Sequence, residues 1–137
     1  MTGFELIQKW EGLRLKAYLC PAGVPTIGYG HTKDVKMGDV ITEDVANTYL
    51  LDDTLVAQEA IMKLVRVPLT DNQLGALTSF VFNLGCGALA SSTLLKLLNQ
   101  GKYLEASAQF PRWNKANGQV LVGLSNRRAD EMKLFNT

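Results

Sequence analysis

The sequence predicts an α+β domain that is mostly helical, with a small β-containing piece inserted after the first helix. Three observations predict it. Apolar residues recur at helical spacing over most of residues 42–135. Glycines and prolines gather at 20–31 among short runs that read as strands. The chain has 137 residues, 47% hydrophobic and 20% charged, which suits one ordinary domain with a real core.

The elements follow in order. Thr2-Gly3-Phe4-Glu5 is a capping box, so a short helix starts there, with Phe4, Leu6, Ile7 and Trp10 as its apolar contacts. Gly12 ends it and leaves Glu11 at its last position. Ala17–Cys20 and Thr26–His31 read as short strands, separated by a turn at Pro21-Ala22-Gly23. Gly28 and Gly30 weaken a strand and point to a bulge or a close backbone approach. From Thr42 to about Arg66 the pattern is helical. Glu43 and Asp44 occupy the first turn and Pro68 stops it. One helix of that length spans roughly 35 Å. Two helices bent near Asp52-Asp53 fit the same pattern. Thr70-Asp71-Asn72-Gln73 is a second capping box and opens an apolar helix to about Leu84. Ser91 or Ser92 caps the next helix, which runs from Thr93 to Gln100. Tyr103–Phe110 is short and helical, stopped at Pro111, and Asn117-Gly118 is a turn. Ser125 caps a last helix to about Phe135.

Composition excludes several classes. A net charge of +1 offers no clustered basic face, so no nucleic acid is expected as partner. Cys20 and Cys86 are too few for a disulfide scaffold, and two free thiols are expected, with Cys86 buried and inert between its two glycines. Residues 1–19 carry five charges where an export signal needs an apolar run, so none is expected. The uncharged run from Asn72 to Leu95 is long enough to span a membrane. Its polar residues and the Gly85-Cys86-Gly87 break fit two core helices better, so no stable membrane insertion is expected. One His and two distant Cys make no ligand set, so neither metal nor cofactor is expected.

The polar residues worth weighing cluster at 11–31: Glu11, Cys20, Thr26 and His31. Glycoside hydrolysis needs an acid for the leaving oxygen and a second group that attacks or aims a water. Glu11 beside Trp10, at the negative end of a helix dipole, suits an acid kept neutral.

Trp10-Glu11-Gly12, Ala17-Tyr18, Cys20-Pro21-Ala22-Gly23 and Pro25-Thr26-Ile27-Gly28-Tyr29-Gly30-His31-Thr32 together resemble the signature of glycoside hydrolase family 24, the phage-type lysozymes. That family's triad is a Glu, eight residues, an Asp or Cys, five residues, then a Thr. Glu11, Cys20 and Thr26 match it in type and spacing. Asn83-Leu84-Gly85, Ser92-Thr93-Leu94-Leu95, Arg112-Trp113 and Gly123-Leu124-Ser125-Asn126-Arg127-Arg128 resemble its helical lobe. The resemblance implies a lysozyme-like fold with one catalytic domain over 1–137. A small β lobe would cover about 13–60, a helical lobe 1–12 plus 61–137, and a long helix would join them.

The resemblance also implies roles. Glu11 would be the general acid, and Thr26 would help hold the attacking water. Cys20 stands where some members have Asp. Arg127 would tune the acid, Asn83 would line the saccharide cleft, and Trp113 would be a sugar platform or core. His31 would sit at the sheet edge near the site, more structural than chemical. The substrate would be peptidoglycan glycan strands. A monomer would accumulate in the host cytoplasm and depend on a holin-type pore to reach the wall. A thiol ordinarily has a pKa of about 8.5, so Cys20 would be mostly protonated at neutral pH. No Lys, Arg or His adjoins it in sequence to change that, which favours water positioning over nucleophilic attack. Two rivals remain: a Cys20–His31 hydrolase that cuts the peptide part of the wall, and an inactive wall-binding module.

Overall fold

Helix α1 (Gly3–Glu11) starts where the capping box places it. The Glu5 amide donates to Thr2 Oγ1 at 3.1 Å, and the Thr2 amide donates to Glu5 Oε1 at 3.4 Å. The computed structural model describes residues 1–137. They form two compact units: residues 7–56, and residues 1–6 with 57–137. The chain is mostly helical with a small antiparallel sheet after the first helix, as the sequence predicts, and it has a second two-stranded sheet that the sequence did not signal.

In the unit of residues 7–56, strands β1 (Arg14–Leu19) and β2 (Pro25–Gly28) pair antiparallel, with Tyr18 opposite Thr26. The register is irregular between Arg14 and Tyr18, so β1 carries extra residues relative to its partner. The strands join through Pro21-Ala22-Gly23. The Gly23 amide donates to Cys20 O at 2.8 Å, and Gly23 takes φ +79°. This is a three-residue hairpin loop with glycine in the left-handed position. After β2 the chain doubles back, and Ile27 and His31 exchange both backbone hydrogen bonds at 2.9 Å. Gly28 at φ +66° permits that turn, a backbone conformation that side-chain-bearing residues rarely adopt. Ile7, Ala17, Ile27, Tyr29, Ala46 and Leu50 form the core here.

Helix α2 (Glu43–Leu64) is one continuous helix, not two, at about 33 Å for its 22 residues.

In the unit of residues 1–6 with 57–137, α3 (Asp71–Leu84) begins at Thr70 with both bonds of its capping box formed. α5 (Thr93–Asn99) is capped by Ser92, whose Oγ accepts from the Leu95 amide at 3.0 Å. Phe80, Phe110 and Phe135 make an edge-to-face cluster in the core with Leu77, Leu89 and Leu98 around it. Gly3 and Gly75 let α1's first turn meet α3 backbone to backbone, since a Cβ on Gly3 would overlap Gly75.

Four local expectations are corrected. The Gly85-Cys86-Gly87 break holds a further short helix, α4 (Cys86–Ala90), because Gly85 at φ +93° redirects the chain and the small residues after it wind again. Cys86 is half-buried, not buried. α6 (Tyr103–Ser107) ends before Pro111, and Pro111 sits inside a following 3-10 turn (Phe110–Arg112), where it needs no N–H partner. α7 (Val122–Phe135) starts three residues before Ser125. Ser125 is no cap. Its Oγ accepts from Asn114 Nδ2 at 3.1 Å, and Leu121 precedes the helix without a side-chain cap. The Asn117-Gly118 turn is the tip of a hairpin, β3 (Lys115–Ala116) and β4 (Gln119–Val120), with both tip residues at positive φ.

Candidate active site

Glu11 is the last residue of α1 and is half-buried. Gly12 follows at φ +71° and turns the chain into β1. Cys20 directly follows β1, and Thr26 lies in β2, 3% exposed. The hairpin brings these two together. Thr26 Oγ1 donates to Val24 O at 2.9 Å and also reaches the Cys20 sulfur. Its one proton can serve either acceptor, while its oxygen keeps lone pairs for a water.

The hairpin loop adds what the sequence does not display. The backbone N–H groups of Val24 and Ala22, with lesser help from the Thr26 hydroxyl and the Gly23 N–H, hold the Cys20 thiol pKa below the ordinary value against the opposing effect of burial. A concave set of successive amides is an anion nest. It stabilises a thiolate with no neighbouring cation. The expectation that only Lys, Arg or His would do this overlooked the backbone.

His31 is buried. Its Nδ1 lies 2.8 Å from Asp53 Oδ2, and its ring stacks on Tyr49 at 4.1 Å between centroids. It ties the sheet to α2. The groups that bear on the Cys20 sulfur are the loop amides and Thr26, and His31 is not among them.

The remaining predicted residues lie in the other unit. Arg127 is buried. Its Nη2 donates to Ser79 O at 3.2 Å, its Nε reaches Ser79 Oγ at 3.4 Å, and it lies 3.5 Å from Glu131 Oε2. Asn83, in the last turn of α3, is half-buried, and its Oδ1 is sequestered without a hydrogen-bond partner. Trp113 is half-buried with its ring edge-to-face on Phe80 at 5.4 Å, so it is in large part a core residue.

Sequence reasoning missed the group behind Arg127. Arg128 is wholly buried in a two-point ion pair with Glu131, at 2.6 Å and 2.9 Å. Its Nη1 donates to Trp113 O at 3.4 Å, and its guanidinium lies over the Phe80 ring. Ser79 Oγ donates to Glu131 Oε2 at 2.6 Å. Burial pushes the Glu131 carboxyl up, against the pull of Arg128, Ser79 and Arg127. The signal for this network was the run Arg127-Arg128-Ala129-Asp130-Glu131, which puts an acid three and four residues from two cations on one helix.

A family model described as phage lysozyme matches residues 8–131. The chain belongs to the phage lysozyme family. It is 48% identical to an endolysin of Acyrthosiphon pisum secondary endosymbiont phage 1 over 98% of this chain and 95% of that protein. An endolysin of Bacillus phage PZA is also 48% identical, over 99% of this chain. The chain spans about half of that relative's length, 54%. Among solved structures, the muramidase domain of SpmX from Asticaccaulis excentricus is similar at a TM-score of 0.92 and 43% identity, covering 98% of this chain and 95% of that one. A P22 lysozyme mutant is similar at a TM-score of 0.90 and 40% identity, covering the same shares. No helix is long and apolar enough to cross a membrane.

Proposed function

We propose that this member of the phage lysozyme family is an endolysin. It hydrolyses the β-1,4 bond between N-acetylmuramic acid and N-acetylglucosamine in peptidoglycan, with Glu11 as general acid. The observation that carries the reading is the Cys20–Thr26 pair, which stands at the family spacing from Glu11 and has its sulfur set in a nest of amides.

The Glu11 carboxyl gives its proton to the glycosidic oxygen as the bond from that oxygen to the anomeric carbon breaks. A water held by Thr26 Oγ1 attacks the same carbon from the opposite face. Its proton passes to Cys20 Sγ in the molecules where that thiol is ionised, a fraction the loop amides enlarge, and exchange with solvent restores both groups. The predicted stereochemistry is inversion. Arg127, Asn83 and Trp113 are assigned as substrate-binding or supporting residues. The enzyme works as a monomer, accumulates in the host cytoplasm and reaches the wall through a separate holin-type pore.

The test is product analysis on purified peptidoglycan. New reducing ends in inverted configuration are expected, without release of amines. Cys20→Asp should retain substantial activity and Cys20→Ala should lose most of it. Amine release without reducing ends would overturn the reading, and retained configuration would overturn the role of Cys20.

A further inference from the structure

In the unit of residues 1–6 with 57–137, an open cavity of about 490 Å³ is lined by none of the residues assigned to hydrolysis. The end of α2, the segment after it and the α4–α5 junction line it. Its wall carries three exposed cations, Lys63, Arg66 and Lys96, with Ser91 and Asn99 beside them. No carboxylate lines it, and none of the three cations makes an ion pair. The wall is built rather than incidental. Asn99 Oδ1 accepts from the Arg66 amide at 2.7 Å, and Asn99 Nδ2 donates to Leu64 O at 3.0 Å. That clip fixes the backbone carrying Arg66 against the helix carrying Lys96. The unit is also the cationic part of the chain, with nine Lys and Arg against six Asp and Glu, whereas residues 7–56 have five against seven.

We infer that this cavity binds phosphodiester groups of a flexible polyol-phosphate polymer. Uncompensated cations raise the local concentration of anions, and an arginine fork with two lysines matches tetrahedral phosphate oxygens. The volume suits a ligand-sized segment rather than one small ion. The lining has no aromatic residue, so bases would have nothing to stack on, which disfavours nucleic acid. Its apolar lining residues, Leu64, Ala90 and Leu95, are none of them large exposed apolar side chains able to enter a bilayer. A polyol chain with phosphates at intervals suits several separate cations and the modest apolar floor.

The experiment is titration calorimetry of the full chain with three probes: a poly(glycerol phosphate) oligomer, inorganic phosphate, and phosphatidylcholine vesicles containing phosphatidylglycerol. Binding is read without hydrolysis, so it stands or falls separately from the lysozyme reading. The oligomer should bind at low salt, more tightly than either other probe. Its affinity should fall about a hundredfold per tenfold rise in salt, on the scale of about 0.7 decade per phosphate neutralised for flexible polyanions. The combined variant Lys63→Gln, Arg66→Gln, Lys96→Gln should bind at least thirtyfold more weakly and lose that salt dependence. Its hydrolysis of peptidoglycan stripped of phosphate polymers should be unchanged. Failure of the oligomer to bind, or equal binding by the variant, would overturn the inference. Equal affinity for inorganic phosphate would make this a small-anion site, and equal affinity for vesicles a membrane contact; either outcome contradicts it.

Discussion

Replacing Arg128 by Met removes the guanidinium from the buried network and keeps most of its packing volume. Glu131, wholly buried, then loses its two-point partner and keeps Ser79 and the more distant Arg127. Removing one partner of a buried ion pair costs about 3–5 kcal/mol. The unfolding entropy near 60 °C is about 2.1 cal/mol/K per residue, or about 290 cal/mol/K for 137 residues. The melting temperature should therefore fall by about 10–17 °C at pH 7.5, as read by circular dichroism. The loss should shrink at low pH. Arg128 is the strongest pull holding the Glu131 carboxyl down against burial, so its removal raises that pKa further. A higher folded pKa means that the folded variant keeps its proton where the folded wild type has lost it. The destabilisation is then least below both folded values and grows as pH rises through them. A fall of less than about 3 °C at pH 7.5, equivalent to roughly 1 kcal/mol, would refute the claim that this pair holds the helical core together.

Three further outcomes are expected. Alkylation of Cys20 by iodoacetamide, followed by mass spectrometry against pH, should show a midpoint below the ordinary thiol value of about 8.5. Thr26→Val should raise that midpoint; a wild-type midpoint at or above 8.5 would leave the nest without effect. Gly3→Ala should cost at least about 2 kcal/mol in urea unfolding, despite alanine's better helix propensity, because the new methyl overlaps the Gly75 backbone. A neutral or stabilising result would mean that the two helices separate freely there. Asp53→Asn should cost about 1–2 kcal/mol by losing the charged acceptor of His31, and a change under about 0.3 kcal/mol would show the pair to be idle.

Much of the fold was legible because its signals are local. Both capping boxes and the turns at Gly23 and Gly118 sit in runs of a few residues and formed as expected, whereas the pattern over 42–66 left one helix or two open and the structure has one. Errors came where a signal had two meanings. Pro111 reads as a stop but serves inside a 3-10 turn, and Ser125 reads as a cap but spends its hydroxyl on Asn114. The triad spacing was visible, since Glu11, Cys20 and Thr26 are close in sequence. The state of Cys20 was not, because the groups that set it are main-chain amides, which every sequence carries and none displays. Arg128 and Glu131 stood in a helical charge pattern that ordinarily marks a solvated face. Only packing under Phe80 and Trp113 reveals that the pair is buried.

The most direct test of the central claim is reducing-end release from purified peptidoglycan by wild type and by Glu11→Gln, both shown to be folded and to bind the substrate. Loss of the general acid's proton should lower the rate by about 10²–10⁴-fold while leaving binding intact. A variant that releases reducing ends at the wild-type rate would contradict Glu11 as the acid, and the account of this site with it.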